Sequence, residues 1–154
     1  MTDYDHEALS SLLSGGEGEP FRLLTVLSNA SAYLFDVLSD VSWVGFYLYQ
    51  DGFLYLGPFQ GKTACVRIPL GKGVCGTAAE ERKTIIVPDV HRFPGHIACD
   101  STSKSEIVVP MVGKKGLFGV LDVDSRTEGR FREGGKEGVV LEDAAKVILS
   151  VLDA

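Results

Sequence analysis

Two aromatic, β-rich runs separated only by Asp51-Gly52 constrain the fold of this chain most strongly. The first run extends from Trp43 to Tyr49 and the second from Phe53 to Leu56. An Asp-Gly pair between such runs favours a two-residue turn, because both central positions of that turn need a positive φ. The sequence therefore predicts an antiparallel hairpin in the first half of the chain.

The segments on either side of this hairpin predict an antiparallel α+β domain. Apolar residues at helical spacing predict helices over 4–13, 20–38 and 137–152, and a short helix over 77–82. Further strands are predicted over 66–68, 84–87, 106–112 and 117–124. This order lacks the strict strand–helix alternation of a doubly wound parallel sheet. We therefore expect a single domain over 1–154, in which 1–19 forms an N-terminal helix and a linker.

The net charge argues against several classes of partner. The 154 residues include 15 Lys and Arg against 21 Asp and Glu, a net charge of −6. Because an anionic surface repels phosphate backbones and anionic lipids, we expect neither nucleic acid nor membrane as a partner. The longest uncharged run, Leu23 to Phe35, is too short and too polar to span a bilayer. The acidic start from Asp3 to Glu7 is unlike a targeting peptide, so we expect a cytoplasmic location.

The three cysteines, Cys65, Cys75 and Cys99, favour thiol chemistry. An odd number does not suit the disulfide framework of a small secreted domain. Cys99 lies in a long polar loop over 89–105, and cationic residues flank Cys65, which favours accessible thiolates at both positions. Two such thiols can attack and resolve through a sulfenic acid. The spacing leaves the pairing open, and a buried apolar role is an alternative for each cysteine.

Metal and nucleotide binding are weaker interpretations of the same region. His91 and His96 could join the cysteines as zinc ligands, but the cysteines are not closely paired as in structural zinc sites. The run Gly71-x-Gly73-x-x-Gly76 matches a dinucleotide fingerprint, yet no βαβ unit surrounds it, so we interpret these glycines as turn residues. We predict no bound metal and no bound cofactor.

Acidic residues on two predicted strands form a candidate acid or cation site. Asp122 and Asp124 alternate with apolar residues, so both carboxylates lie on one face, where they repel unless a proton or cation intervenes. An even-length turn places Glu106 opposite Val123, on the other face. A bulge at Pro110 would instead shift Glu106 onto the face of the aspartates. Solvated edge charges are the alternative interpretation.

Six short motifs carry a family resemblance. They are WVGFY at 43–47, LGPFQG at 56–61, GKGVCG at 71–76, HIACD at 96–100, SEIVVP at 105–110 and GVLDVDS at 119–125. Together they resemble the free methionine-(R)-sulfoxide reductase family of GAF-domain enzymes, from about residue 21 to the C-terminus. The resemblance implies a GAF fold, a six-stranded antiparallel sheet flanked by helices. It also implies reduction of free L-methionine (R)-sulfoxide, but not of the protein-bound form, to methionine.

The resemblance implies a redox role for each cysteine. Cys99 matches the family's nucleophile, Cys65 its resolving cysteine, and Cys75 a third cysteine that in some members can also pair. The implied cycle passes through a cysteine sulfenic acid and an intramolecular disulfide, which NADPH-linked thioredoxin reduces. The loop that carries Cys99 must then move between the substrate and Cys65. A homodimer is compatible with the GAF resemblance.

The resemblance also implies a substrate pocket with an acidic and an aromatic side. Glu106, Asp122 and Asp124 match its acidic residues, and Trp43 and Tyr47 match its aromatic wall. Buried carboxylates would select the ammonium group that a peptide-bound methionine lacks, and a carboxylic acid could protonate the sulfoxide oxygen. An aromatic wall suits the thioether, because sulfur–aromatic contacts are favourable.

Two other functions are consistent with this sequence. One is a GAF sensor that binds a small molecule and has incidental cysteines, although sensors are normally fused to an output domain. The other is a thiol-based redox-sensing module. The glycine- and charge-rich segment 128–138, where we expect only a short link, also leaves the start of the last helix open.

Overall fold

The computed structural model describes residues 3–97 and 99–154. The helices are α1 (His6–Leu13), α2 (Arg22–Val37), α3 (Gly73–Glu81) and α4 (Lys136–Val151). The strands are β1 (Trp43–Gln50), β2 (Phe53–Gln60), β3 (Arg67–Pro69), β4 (Ile85–Val87), β5 (Ser105–Gly113) and β6 (Gly116–Ser125). A single 3-10 turn, Val90–Arg92, lies in the loop between β4 and β5.

The strands form one six-stranded sheet in the order β3-β2-β1-β6-β5-β4. Every neighbouring pair is antiparallel, which confirms the α+β class. The predicted turn joins β1 to β2, with Asp51 at φ 49° and Gly52 at φ 87°. Both values are positive, as a two-residue hairpin turn requires.

The two faces of the sheet bury different layers. Helices α1, α2 and α4 cover one face, and the core there includes Leu27, Leu34, Phe46, Leu121 and Ile148. Helix α3 covers the other face, and the core there includes Trp43, Tyr47, Val74, Val108 and Val120. Because side chains alternate along a strand, this second face also receives the acidic side chains of β5 and β6. Within the described residues no helix is both long and apolar enough to cross a membrane.

The register of β5 and β6 differs from the one that an even-length turn predicts. Glu106 lies opposite Asp124, and not opposite Val123. The pairing shifts by one residue between Met111 and Val112, because Phe118 of β6 has no partner residue on β5. The bulge therefore lies in β6 near the turn, and not at Pro110 of β5. This one-residue shift turns Glu106 onto the face of the aspartates, because successive side chains point to opposite faces.

Helix α3 begins four residues earlier than predicted, at Gly73 instead of Thr77. The interpretation of the preceding glycines as turn residues holds for Gly71 and Gly73, which have φ of +83° and +63°. It is wrong for Gly76, which lies inside the helix, where a Cβ atom would come within 2.5 Å of the Pro69 carbonyl oxygen. The absence of a side chain at Gly76 therefore lets helix α3 pack closely against Pro69, the last residue of β3.

Helix α4 begins at Lys136, one residue before the predicted start. The glycine-rich segment that precedes it is held by the fully buried Phe131 and by an ion pair between Arg130 and Glu137, with Nη1 and Oε2 3.0 Å apart. The Arg130 guanidinium also donates to the carbonyl oxygen of Ser39. A buried aromatic side chain and these polar contacts order a segment whose composition suggests a loop.

Candidate active site

Three carboxyl groups meet on the face of the sheet that lies under α3. Glu106 on β5 is paired with Asp124 on β6, and Asp122 lies two residues further along the same strand. Glu106 and Asp122 are buried, and Asp124 is half-buried. All three line one pocket between the sheet and α3. The bulge at Phe118 of β6 therefore assembles the acidic cluster that the resemblance implies.

Burial and mutual repulsion raise the pKa of each carboxyl group in this cluster. For Asp122 the larger cause is burial, followed by the negative charge of Asp124. Burial is also the largest cause of the raised pKa of Asp124, and the charge of Glu106 comes second. For the raised pKa of Glu106, burial again comes first and the charge of Asp122 second. In the described part of the chain, Asp122 Oδ1 and Asp124 Oδ1 are buried without a hydrogen-bond partner. The cluster therefore favours protons or a bound cation.

Cys75 extends this cluster from helix α3. Its thiol is buried and donates to Glu106 Oε2 at 3.8 Å. Burial, followed by the charge of Asp122, raises the pKa of this thiol well above its usual range, so it is a poor nucleophile in this position. Single ligand atoms of Cys75, Glu106 and Asp122 lie within 4.8 Å of one another, which could hold a metal ion. The same carboxylates can instead bind an ammonium group. For this reason the absence of a resident metal stays our prediction.

A disulfide joins Cys65, before β3, to Cys99, in the loop between β4 and β5. The two Cα atoms are 5.4 Å apart although 34 residues separate them in sequence. Cys99 and Asp100 line the pocket together with Lys72 at the start of α3. Asp100 fixes the loop after Cys99 by accepting from the Thr102 amide at 2.9 Å. The disulfide therefore ties the loop across the pocket.

Aromatic side chains of the sheet form the opposite side of the pocket. The Trp43 ring stacks on Tyr47 and on Phe59, with ring centroids 6.0 and 5.2 Å away. Gly45 makes this stack possible, because a Cβ there would lie 2.4 Å from that of Phe59. The Tyr47 hydroxyl donates to the carbonyl oxygen of Cys65 at 3.0 Å. The aromatic wall thus also positions the segment that carries the resolving cysteine of the resemblance.

Two further residues of this pocket were not predicted as site residues. Ser103 is only 6 % exposed, and its Oγ is without a partner in the described part of the chain. His96 Nε2 lies 3.9 Å from Glu106 Oε1, and burial, followed by the charge of His91, lowers the pKa of the imidazole. Nothing in the sequence separates Ser103 from other loop serines. His96 was considered only as a zinc ligand, although it belongs to the HIACD motif.

Little free volume remains in the pocket in the disulfide form. The enclosed space is about 40 Å³, which is room for a few water molecules and not for an amino acid. The structure therefore brings together all eight predicted site residues around a space that the disulfide closes. These residues are Trp43, Tyr47, Cys65, Cys75, Cys99, Glu106, Asp122 and Asp124.

Comparison with known proteins identifies the family of this chain. The GAF domain family matches residues 22–146. The free methionine-R-sulfoxide reductase of Escherichia coli K12 is 54% identical over 116 residues, which cover 75% of this chain and 70% of that protein. The chain belongs to the free methionine-R-sulfoxide reductase family of GAF-domain proteins. The resemblance stated from the motifs is thereby confirmed, as are the GAF fold and the expectation of an oxidoreductase.

Solved structures of free methionine-R-sulfoxide reductases agree with this membership. The reduced form of fRMsr of Staphylococcus aureus is 47% identical and has a TM-score of 0.84, covering 99% of this chain and 96% of that one. The free methionine-R-sulfoxide reductase of Neisseria meningitidis in complex with its substrate is 37% identical and has a TM-score of 0.86, covering 96% and 86%.

Proposed function

We propose that this chain reduces free L-methionine (R)-sulfoxide to L-methionine, with Cys99 as nucleophile and Cys65 as resolving cysteine. The observation that carries the proposal is the Cys65–Cys99 disulfide over a pocket whose buried carboxylate oxygens have no partner among the described residues. Such a pocket favours protons or a cationic ligand, and such a disulfide is the product that a reductase of this kind leaves after turnover. The E. coli relative carries the name of this activity.

The acidic cluster accounts for the choice of a free amino acid. The ammonium group of the substrate binds to Asp122 and Asp124, whose Oδ1 atoms otherwise lack donors. A peptide-bound methionine sulfoxide has no ammonium group there and would leave both oxygens buried and unpaired, which disfavours it strongly. The thioether end packs on Trp43 and Tyr47. Lys72 and Ser103 also line the pocket and supply donors for the substrate carboxylate.

The chemistry begins when the disulfide has been reduced and the loop has released the pocket. The Cys99 thiolate attacks the sulfoxide sulfur, and the oxygen is transferred to Cys99, so that methionine leaves and a cysteine sulfenic acid remains. Glu106 supplies the proton that neutralises the oxygen as it leaves the substrate, because burial and the charge of Asp122 raise the pKa of this carboxyl group and favour its protonated form. The donor of the proton and the attacking sulfur thus approach the sulfoxide from different elements.

The second half of the reaction restores the observed disulfide. The Cys65 thiol attacks the Cys99 sulfenic acid, a sulfur–sulfur bond forms and water leaves. Thioredoxin then reduces the disulfide with two electrons and two protons, and NADPH reduces thioredoxin in turn. No bound cofactor takes part. Cys75 is held as a buried neutral thiol beside Glu106, so its part in this cycle is to complete the pocket.

A thiol-based redox sensor is the second candidate, because the same disulfide could report oxidation without turning over a substrate. The two functions differ in their need for methionine sulfoxide. A sensor would be oxidised once by a peroxide and would consume one equivalent of reductant. A reductase consumes reductant continuously, in proportion to the sulfoxide supplied.

The experiment is an NADPH-coupled thioredoxin assay of the wild type and of Cys99→Ser. We expect wild type to consume one NADPH per free methionine (R)-sulfoxide, and Cys99→Ser to consume none above background. The matched controls are the (S)-sulfoxide epimer and N-acetylmethionine (R)-sulfoxide, which lacks the ammonium group, and both should be poor substrates. NADPH consumption that is unchanged in Cys99→Ser, or equal for the N-acetylated compound, would disprove the proposal.

A further inference from the structure

Two exposed apolar side chains flank the Cys65–Cys99 disulfide. Val66 follows Cys65 directly and is 74% exposed, and Ile97 lies two residues before Cys99 and is 37% exposed. Because the two cysteines are bonded, the disulfide holds the segments that carry Val66 and Ile97 close together. We call Val66 and Ile97 the apolar rim of the disulfide.

The fold does not require the side chain of Val66. The neighbouring Ile68 is buried against the sheet, whereas Val66 points away from it at an edge next to β3, which is an outer strand. The backbone at Val66 is held independently of its side chain, since its carbonyl oxygen accepts from the Leu56 amide at 2.9 Å. Single exposed apolar side chains are common on protein surfaces. Val66 differs from them in its place directly beside a bond that a reducing partner must contact.

The charge around the apolar rim differs from that of the whole molecule. Lys62 and Lys72 are both exposed, although the chain as a whole has a net charge of −6. Lys62 lies three residues before Cys65, and Lys72 lines the pocket together with Cys99. Asp100 offsets part of this charge from the Cys99 side, where hydrogen bonds from Thr102, followed by the charges of Lys62 and Arg126, lower the pKa of its carboxyl group. Cations next to a disulfide attract an incoming thiolate and an acidic partner surface.

We propose that the apolar rim is the docking surface for a protein dithiol, which binds Val66 and Ile97 while it reduces the disulfide. This inference rests on the redox cycle of the proposed function and names the surface that the reductant uses. Thiol–disulfide exchange requires the attacking sulfur to contact the disulfide directly. A small thiol needs only access to the bond, whereas a protein must place its own surface on whatever surrounds that bond. The rim is what surrounds it.

The exchange proceeds in two balanced steps. The partner's first thiolate attacks Cys65 Sγ, the Cys65–Cys99 bond breaks, and Cys99 leaves as a thiolate and takes up a proton. The partner's second thiol loses its proton and attacks the first partner sulfur, which releases Cys65 as a thiolate that is then protonated. The partner becomes a disulfide, and Cys65 and Cys99 receive its two electrons. This order frees Cys99 first and so returns the nucleophile to the pocket.

The test measures reduction of the oxidised protein itself, so it does not depend on any substrate. Fully oxidised wild type, Val66→Ser and Val139→Ser are mixed with reduced thioredoxin, and separately with dithiothreitol. The appearance of free thiols gives second-order rate constants. Val139 is the matched control, because this valine is 71% exposed on α4, away from the disulfide.

We expect Val66→Ser to lower the rate constant with thioredoxin about three- to tenfold, the effect of losing one buried aliphatic contact. The rate constant with dithiothreitol should stay unchanged, and Val139→Ser should change neither. Val66→Glu, which also adds a like charge for an acidic partner, should lower the thioredoxin rate further. An unchanged thioredoxin rate in both Val66 variants would overturn the docking surface, as would an equal loss with dithiothreitol. If the proposed function itself is wrong, a different result follows: the NADPH-coupled assay shows no turnover of methionine sulfoxide.

Discussion

At the scale of single residues, the acidic cluster trades stability for binding. Asp122 has a raised pKa in the folded protein because it is buried beside Asp124. Its pKa in the unfolded chain is near the ordinary value of 3.8. The folded state therefore binds this proton more tightly, and stability falls as pH rises above the unfolded pKa towards the folded one. Ionised carboxyl groups in this cluster therefore cost stability, and in the proposed function the substrate ammonium group offsets that cost.

We predict that Asp122→Asn stabilises the protein at pH 8 by about 1–3 kcal/mol, the usual cost of an unpaired buried polar group. The amide carries no charge and can donate to its carboxylate neighbours. The gain should shrink at pH 5, where the wild-type carboxyl group is closer to full protonation. Urea unfolding at the two pH values measures the difference. Sulfoxide reduction should fall in the same variant, because the ammonium group loses its carboxylate.

Asp143 provides a control of opposite sign. Hydrogen bonds from Tyr4, followed by the proximity of His6, hold the pKa of this carboxyl group below its usual range. The Asp143 carboxylate therefore stabilises the folded protein at pH values above its pKa in the unfolded chain. This stabilisation is lost as the pH falls through the pKa of Asp143 in the folded protein. Asp143→Asn should therefore destabilise the protein at pH 8. If both substitutions changed the free energy of unfolding in the same direction, the electrostatic account of Asp122 would be wrong.

At the same scale, the sequence predicts charged and sulfur-containing site residues better than neutral ones. Asp122 and Asp124 could be assigned to one face because strand alternation is a local rule. Ser103 could not be found in this way, since its importance comes from being 6 % exposed and lacking a partner in the described structure. Burial of a loop hydroxyl depends on the path of the whole loop, and no local pattern encodes that path.

At the scale of elements, the proposed cycle requires the loop between β4 and β5 to bring Cys99 to two different partners. In the disulfide form this loop is bonded to the segment before β3, and its Asp100 caps the following turn through Thr102. For turnover the same loop has to release Cys65 and admit a substrate. Chemistry at Cys99 and reduction by a partner are therefore separate events that a substitution can uncouple.

We predict that Cys65→Ser releases about one methionine per active site and then stops with thioredoxin as reductant, because the sulfenic acid forms before the resolving step. Quenched-flow measurement of methionine against enzyme concentration tests this. Cys75→Ser is the comparison variant, and it should continue through many turnovers, since the Cys75 thiol is buried beside Glu106 in the disulfide form. Sustained turnover by Cys65→Ser would instead mean that Cys75 resolves the sulfenic acid.

Element boundaries show where sequence reasoning succeeds and where it stops. The first hairpin follows from Asp51-Gly52 alone, because two positive φ values admit few residue types. The register of β5 and β6 does not follow, since a single bulge at Phe118, across from Met111 and Val112, decides which face Glu106 occupies. The predicted start of α3 is also wrong. Gly76 lies inside the helix, where it packs closely on the Pro69 carbonyl oxygen, and it is not a turn residue.

At the scale of the whole molecule, oxidation state and pocket volume are coupled. The disulfide draws a loop from one edge of the sheet onto a segment beside the other edge, across the face that α3 covers. The enclosed space is then about 40 Å³, which an amino acid cannot enter. The disulfide form therefore has too little free volume for an amino acid, and we expect reduction to open the pocket.

This coupling predicts that free L-methionine, which cannot react, stabilises only the reduced protein. A ligand that binds the folded state alone raises its stability by RT ln(1 + [L]/Kd), about 2.7 kcal/mol at a hundredfold excess over Kd. We expect thermal unfolding to shift upward with methionine under reducing conditions, and not to shift after quantitative oxidation. Cys65→Ser cannot form the Cys65–Cys99 bond, so methionine should stabilise it with or without a mild oxidant. An equal shift for oxidised and reduced wild type would contradict a pocket closed by the disulfide, because the ligand would then be reaching its carboxylates past an intact sulfur–sulfur bond.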